Sequence, residues 1–221
     1  METIRVVIAT FKNKISQEEI PFFRGSIIRL SDNDPFFHNH QEEGFHYSYP
    51  LVQYKRIDGH AVILGINEGG EAIERLLKDR VRYECQLGNR QVEMELIGIR
   101  SEKISIHCME QDRIYSIKGW LPLNRENYRN YLSADGLAEQ VAMLERILIG
   151  NILSFAKGLG VFFETPVRCC ILQLENEKSF NYKNVGLLSF SAKFRTNVSL
   201  PTYIGLGKSV SINNGVVTPI K

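Results

Sequence analysis

Two periodicities of apolar residues alternate along the first half of the chain. Runs rich in β-branched residues predict strands, and apolar positions three and four residues apart predict helices. Glu19 lies three residues after Ser16, which is the spacing of a capping box and predicts that the first helix begins at Ser16. Asp58-Gly59 predicts a hairpin turn. The predicted order is strand, helix, strand, strand, helix, strand, strand, at 3–9, 16–30, 49–56, 61–66, 71–77, 81–87 and 91–98.

The second half repeats this alternation with more β-structure. Apolar residues at helical spacing over 137–159 predict one long helix. Strand-like runs occur before and after it, at 113–117, 167–174, 185–194 and 216–220. The first half thus contains the order β-α-β-β-α-β of a ferredoxin-like domain. We therefore predict an α+β protein of two tandem ferredoxin-like (RRM-like) domains, 1–112 and 113–221, the second degraded and carrying a C-terminal Gly-rich loop.

Charge is distributed unevenly along the 221 residues, although the formal net charge is only +2. The six basic residues of 178–221 are accompanied by no acidic residue, whereas 1–177 hold 21 basic and 25 acidic residues, a net charge of −4. Such an asymmetry is typical of a surface that binds a polyanion, and a solvated basic face without a partner is the alternative.

The remaining composition points to a reduced, cytoplasmic protein without a cofactor. No apolar run approaches the roughly 18 residues that cross a bilayer, so no membrane association is expected. The N-terminus lacks the order of a signal peptide. No Cys-x-x-Cys spacing occurs, and the cysteines are predicted to be packed thiols rather than metal ligands or disulfides; they are Cys85, Cys108, Cys169 and Cys170.

A glycine-containing segment near the C-terminus, residues 201–215, carries the clearest motif. Gly205, Gly207 and Gly215 allow positive φ and a close approach of phosphate to backbone amides, and Lys208 adds a positive charge. The string Gly-Lys-Ser is not a nucleotide-binding P-loop, because the upstream glycine and the downstream helix of that motif are missing. A hairpin turn at a sheet edge is the simpler alternative.

This segment resembles the glycine-rich loop of CRISPR repeat-processing endoribonucleases. The family pattern is Gly-hydrophobic-Gly, five residues, Gly-hydrophobic-Gly, and Asn213 stands here in place of the third glycine. Asparagine is the residue that best replaces glycine at positive φ. The segments around Arg24-Gly25, after Pro35 and from Tyr49 to Lys55 are similar to one subgroup of these enzymes.

The resemblance implies two ferredoxin-like domains and a metal-independent cut within repeat RNA. In that reaction the neighbouring 2′-hydroxyl attacks the scissile phosphate and leaves a 2′,3′-cyclic phosphate and a 5′-hydroxyl. It implies RNA binding by the glycine-rich loop and the adjoining basic surface. The residues expected to bind RNA are Lys55, Lys193, Arg195, Gly205, Gly207, Lys208 and Gly215.

Three histidines within nine residues are candidates for the acid–base chemistry of this cut. His38 and His40 face the same side of an extended segment, and an imidazole titrates near neutral pH, so we expect these two to be catalytic. The resemblance places the catalytic histidine in the same region. A metal site formed with His46 and Glu42 or Glu43 is one alternative, and ordinary surface histidines are another. Three cations are candidates to neutralise the phosphate, and the sequence does not choose between them: Arg24, Lys55 and Arg56.

The leading functional prediction is thus an endoribonuclease that matures CRISPR RNA without a metal. The alternative is a non-catalytic RNA-binding or assembly subunit on the same fold, and paired imidazoles are the feature that such a binder does not need. A purely structural protein is disfavoured by the basic C-terminal region. CRISPR repeat RNA is the predicted partner, and the sequence leaves open other CRISPR effector subunits and a homodimer.

Overall fold

The computed structural model describes residues 2–38, 49–182 and 185–220, with the backbone only at 176–182 and 185–187. These residues form two compact units. The N-terminal unit comprises 3–105 together with Ser211–Asn213, and the C-terminal unit comprises 106–210 and the chain from Asn214. The boundary predicted after residue 112 therefore lies inside the first strand of the C-terminal unit. Two long strands, separated by His107, run through this region without a linker.

The N-terminal unit is one antiparallel sheet with helices packed against it. Its elements are β1 (Glu2–Lys14), α1 (Ile20–Leu30), α2 (Pro35–His38), β2 (Val52–Ile57), β3 (His60–Ile66), α3 (Glu68–Leu77), β4 (Arg82–Leu87) and β5 (Arg90–Ile106). The strand order is β2-β3-β1-β5-β4. This is the ferredoxin-like order with one further strand, and it confirms the predicted fold of the first half.

The core of this unit lies between the sheet and the apolar faces of α1 and α3. Phe23 of α1 packs edge-on against Phe11 of β1 at 5.6 Å and against Tyr54 of β2 at 5.9 Å, measured between ring centroids. Aromatic pairs of this geometry contribute beyond the area that they bury. The three rings therefore fix α1 relative to β1 and β2.

Both helix starts differ from the prediction. The main-chain N–H of Ser16 donates to the carboxylate of Glu19 at 2.8 Å, which is half of a capping box, but α1 begins only at Ile20, with Pro21 in its first turn. Helix α3 starts three residues before the predicted Glu71 and includes Gly69. A Cβ at Gly69 would lie 2.5 Å from the carbonyl oxygen of Leu51, so only glycine fits this close approach.

The C-terminal unit is a four-stranded sheet with two helices. Its elements are β6 (Cys108–Trp120), α4 (Arg125–Ser133), α5 (Leu137–Gly158), β7 (Cys169–Tyr182), β8 (Val185–Val198) and β9 (Val216–Pro219). The strand order β7-β8-β6-β9 is again ferredoxin-like. Helix α4, capped by the Asn124 side chain on the N–H of Asn127 at 2.7 Å, was not predicted.

Residues 199–215 take the place of the second crossover helix between β8 and β9. The second ferredoxin-like domain is degraded in the sense that this helix is replaced by an irregular segment. The return of the chain from this segment to the sheet depends on Gly215. The N–H of Gly215 donates to the carbonyl of Gly119 at 3.0 Å, and its carbonyl accepts from the N–H of Leu206 at 2.9 Å. Gly215 has φ +62°, and a Cβ there would overlap the carbonyl oxygen of Leu206. Positive φ and close backbone approach together require glycine.

We predict opposite effects of alanine at two glycines of the C-terminal unit. Gly215→Ala should lower the free energy of unfolding by about 3 kcal/mol or more, because it adds backbone strain to a steric overlap. Gly150 is exposed in the middle of α5, and a Cβ there meets no atom of the described residues within 4 Å. Gly150→Ala should raise the free energy of unfolding by about 0.5–1 kcal/mol.

Chemical denaturation of both variants measures this pair of effects. Unfolding of Gly215→Ala at the same denaturant concentration as the parent would show that the segment does not depend on this approach of two backbones.

Candidate functional site

His38 is the last residue of α2 and is half-buried. Its Nε2 lies 3.1 Å from Oδ1 of Asn33, and its main-chain carbonyl accepts a hydrogen bond of 2.8 Å from Nη2 of Arg24. His40 and His46 lie outside the described residues. The pairing of His38 with His40 therefore stays a prediction.

The position of His38 follows from the way α2 is anchored. Phe37 is 2% exposed and belongs to the core of the N-terminal unit. Its carbonyl accepts from the hydroxyl of Tyr54 at 3.4 Å. At the start of the helix, the carboxylate of Asp34 accepts from the N–H of Phe36 at 3.0 Å and lies 3.9 Å from the guanidinium of Arg75. The short helix is thus held at both ends.

The remaining histidines have partners of their own. Nδ1 of His60 lies 3.1 Å from the carbonyl oxygen of Phe11, and Nδ1 of His107 lies 3.4 Å from Oγ of Ser199. These contacts point to structural roles for both residues. Within 2–38, 49–182 and 185–220, no three His, Cys, Asp or Glu side chains come close enough together to hold a metal ion.

Lys55 does not lie where an RNA-contacting residue should. The sequence prediction treated it as an accessible cation on a strand after the histidines, but its side chain is 0% exposed. Burial lowers the pKa of its ammonium group to about 7, because the charged form is desolvated. Strand β2 has buried side chains at four consecutive positions. Because both of its faces are buried, an alternation of apolar and polar residues could not indicate the burial of Lys55. Arg56, the next residue, is exposed and donates through Nε to the carbonyl of Ile15 at 2.6 Å.

The glycines of the segment 201–215 serve the packing of the C-terminal unit. Gly205 and Gly215 are buried. A Cβ at Gly205 would lie 2.5 Å from Cβ of Val210, and one at Gly207, which has φ +96°, would lie 2.9 Å from the ring of Trp120. These close contacts are a structural reason for glycine at both positions. The sequence analysis considered only the approach of phosphate to the backbone amides.

Several backbone amides of this segment bond within the protein. Besides the bonds of Gly215, the N–H of Lys208 donates to the carbonyl of Leu121 at 3.2 Å. Nζ of Lys208 donates to the carbonyl of Leu123 at 2.9 Å, and partial burial lowers the pKa of this ammonium group. Lys208 as a whole is nevertheless exposed, as is Ser209. The surface that the segment offers is therefore its outer edge at these two side chains.

Lys193 and Arg195 project from one face of the C-terminal sheet. They alternate on β8 with Phe194, which is buried on the other face, and both are exposed. Nζ of Lys193 donates to Oε1 of Gln173 at 3.0 Å and lies 3.6 Å from the carboxylate of Glu175 on the adjacent β7. The predicted cations thus share a face, with one carboxylate beside them.

Lys118 is a third cation of this face, and it was not predicted from the sequence. It is exposed on β6, where the alternating side chains Tyr115 and Ile117 are buried on the other face. The neighbouring Ser116 is paired in register with Lys193 of β8. The alternation of buried and exposed positions in 115–118 is the signal that identifies it. We call Lys118, Lys193 and Arg195 the basic sheet face.

The tip of the glycine-rich segment, Ser211–Asn213, belongs to the N-terminal unit. Its first carbonyl accepts from the N–H of Tyr54 at 2.8 Å. Asn213 has φ +68°, as expected for a residue in place of glycine. Its Oδ1 accepts from the N–H of Arg56 at 2.9 Å, and its Nδ2 donates to Gln17 at 2.7 Å. The side chain therefore makes two hydrogen bonds that a glycine cannot make.

These features define a protein of two tandem ferredoxin-like domains with a glycine-rich segment before its last strand. Residues 2–105 match the family model of the Cas6b N-terminal domain, and 107–220 match that of the Cas6b C-terminal domain. The chain belongs to the Cas6b family, and the resemblance found in the sequence is confirmed.

The chain is also similar to individual proteins. An uncharacterized protein of Methanocaldococcus jannaschii is 31% identical over 141 residues, which are 63% of this chain and 88% of that protein. A crystal structure of Cas6b superposes with a TM-score of 0.88 at 24% identity, over 99% of this chain and all of the other. A second, described as a CRISPR RNA processing endoribonuclease Cas6b, has a TM-score of 0.75 at 24% identity with the same coverage.

In the part of the chain that the structure describes, no helix has the length and apolar character needed to span a membrane.

Proposed function

We propose that this chain is an endoribonuclease that cuts the repeat RNA of a precursor CRISPR transcript without a metal ion. The observation that carries the proposal is the match of both halves to Cas6b domains, with His38 at the end of α2 in the first half and the glycine-rich segment in the second. A Cas6b protein of the same fold is described as a CRISPR RNA processing endoribonuclease.

The reaction transfers the phosphate from one oxygen of the RNA to another. A general base removes the proton of the 2′-hydroxyl, whose oxygen then attacks the neighbouring phosphorus. The bond from phosphorus to the 5′-oxygen of the next nucleotide breaks, and a general acid protonates that oxygen. No water or redox step is required. Imidazoles serve in both roles because their ordinary pKa lies near neutrality. We assign the two roles to His38 and His40.

The neighbour of His38 supports the role of base for this residue. A hydrogen bond donated by Nε2 of His38 to Oδ1 of Asn33, 3.1 Å away, corresponds to the neutral tautomer with its ring proton on Nε2. In that tautomer Nδ1 holds the lone pair that accepts a proton from the RNA. His40 then protonates the leaving oxygen. Arg56, exposed on β2, is the cation that we assign to the phosphate in place of the buried Lys55.

RNA binding is assigned to the basic sheet face together with Lys208 at the edge of the glycine-rich segment. Charged side chains on the exposed face of a ferredoxin-like sheet attract the phosphate backbone independently of sequence. Gly205, Gly207 and Gly215 contribute by shaping the segment that presents Lys208. Binding of other CRISPR effector subunits, a homodimer and a cytoplasmic location remain predictions.

Replacement of the histidines tests the catalytic assignment. His38→Ala and His40→Ala should each slow single-turnover cleavage of the repeat RNA by about 10²–10⁴-fold, because each removes a proton-transfer group. RNA affinity should change little, since neutral imidazoles contribute little to phosphate binding. The double variant should lose much less than the product of the single losses, because groups that act as a unit are not additive.

His60→Ala is the matched control, because His60 lies on β3 of the same unit and contacts the Phe11 carbonyl. The folding of this variant is verified first. The folded variant should cleave the repeat RNA at the parent rate. Normal cleavage by both single variants and the double variant would contradict the assignment and favour a non-catalytic RNA-binding subunit.

Salt dependence tests the RNA-binding surface. Replacing Lys118, Lys193 and Arg195 with alanine should weaken binding and reduce the slope of log K against log salt by about 0.7–0.9 for each phosphate that the variant no longer neutralises. Lys157→Ala is the control, because Lys157 is an exposed cation outside the basic sheet face. It lies on α5, and Asn151 of this helix accepts a hydrogen bond from the buried Trp120. An equal slope in the triple variant and the parent would show that the basic sheet face does not bind RNA.

A further inference from the structure

We infer that Arg24 and Tyr54 are positioning residues that fix the backbone from which the catalytic residue His38 projects. They hold the carbonyl groups of two consecutive residues: Tyr54 donates to Phe37, and Arg24 donates to His38. The inference rests on the proposed function of His38 and His40, and it names side chains that make no contact with the reacting atoms.

The first step of the argument concerns the end of α2. The last carbonyl groups of any helix have no intrahelical partner, and α2 is only four residues long. At Phe37 and His38 the missing donors come from side chains of other elements, the guanidinium of α1 and the phenol of β2. Because these bonds fix two successive peptide units, they hold the backbone at Phe37 and His38 in place.

The second step concerns the rigidity of the two donors. Tyr54 is 0% exposed, its ring packs on Phe23, and its backbone is paired with Ile63 of β3 on one side and with the tip of the glycine-rich segment on the other. Burial raises the pKa of the phenol, so it remains a donor throughout the working range. Because these contacts fix the Tyr54 side chain, its hydroxyl fixes the position of the Phe37 carbonyl.

The third step concerns what Arg24 costs the fold. Its Nε is buried and has no hydrogen-bond acceptor among the described residues. A buried donor without a partner destabilises a protein. An apolar side chain at this position of α1 would avoid that cost but would leave the carbonyl of His38 without its donor. Holding the His38 carbonyl is therefore a role that an apolar side chain could not fill.

The test uses variants that remove one hydrogen bond with little change in shape. Tyr54→Phe deletes only the hydroxyl, and Arg24→Met keeps most of the apolar stem; Arg24→Lys retains the charge and one donor. Tyr115→Phe is the control in the C-terminal unit. Tyr115 is buried, and its hydroxyl donates to the carbonyl of Val198 at 3.4 Å and accepts from the N–H of Leu200 at 3.0 Å, so the folding of this variant is verified first. The probe is the repeat RNA of the CRISPR array from the same genome.

We expect Tyr54→Phe and Arg24→Met to slow single-turnover cleavage at saturating RNA by about 10- to 100-fold, because a displacement of about 1 Å has effects of this size. The dissociation constant should stay within twofold. Arg24→Lys should recover part of the rate. In the absence of RNA, amide hydrogens of peptides spanning 36–48 should exchange faster in Tyr54→Phe and Arg24→Met. Tyr115→Phe should change neither the rate nor this exchange.

Two results would overturn the inference. One is cleavage within twofold of the parent together with unchanged exchange at 36–48 in both variants. The other is a loss of RNA affinity as large as the loss of rate. If instead His38→Ala and His40→Ala cleave normally, the proposed function fails, and hydrogen exchange alone then decides whether Arg24 and Tyr54 hold this segment.

Discussion

The close approach of the backbones at Leu206 and Gly215 is the constraint on which the C-terminal half depends. The two residues share a hydrogen bond of 2.9 Å, and the approach leaves no room for a Cβ at Gly215. It brings the chain back into the sheet, so that β9 pairs with β6 although no second crossover helix is present in 199–215. A loop can therefore replace a helix in this ferredoxin-like domain.

The glycines of the same segment are required by its packing. Gly205 and Gly215 are buried, and the segment presents Lys208 and Ser209 at its edge. Its tip bonds β2 of the N-terminal unit, where Asn213 makes side-chain hydrogen bonds in addition to adopting positive φ. From β2, Tyr54 reaches the carbonyl of Phe37 beside His38. In the N-terminal unit, Tyr54 of β2 thus contacts both the tip of the glycine-rich segment and helix α2.

Much of this architecture could be predicted from the sequence, because period-two and helical patterns are local. The hairpin at Asp58-Gly59, the long helix α5 and the ferredoxin-like order all follow from such patterns. The burial of Lys55 could not be predicted, since β2 is buried on both faces and shows no alternation. Lys118 follows the same alternation that places Lys193, but it lies outside the acid-free region 178–221 on which the predicted RNA-binding surface was based. The partners of Arg24 could not be foreseen either, because they depend on a tertiary contact between α1 and α2.

The most direct test of the account is the requirement for the attacking hydroxyl. After the cut in the all-ribose repeat RNA has been mapped, the same RNA with one 2′-deoxy nucleotide immediately upstream of that cut is incubated with the protein in EDTA. The account predicts that the ribose substrate is cut in EDTA and yields 2′,3′-cyclic phosphate and 5′-hydroxyl ends, whereas the deoxy substrate binds equally well and stays intact. Cleavage of the deoxy substrate at the same site, or cleavage of the ribose substrate only after magnesium is added, would contradict it.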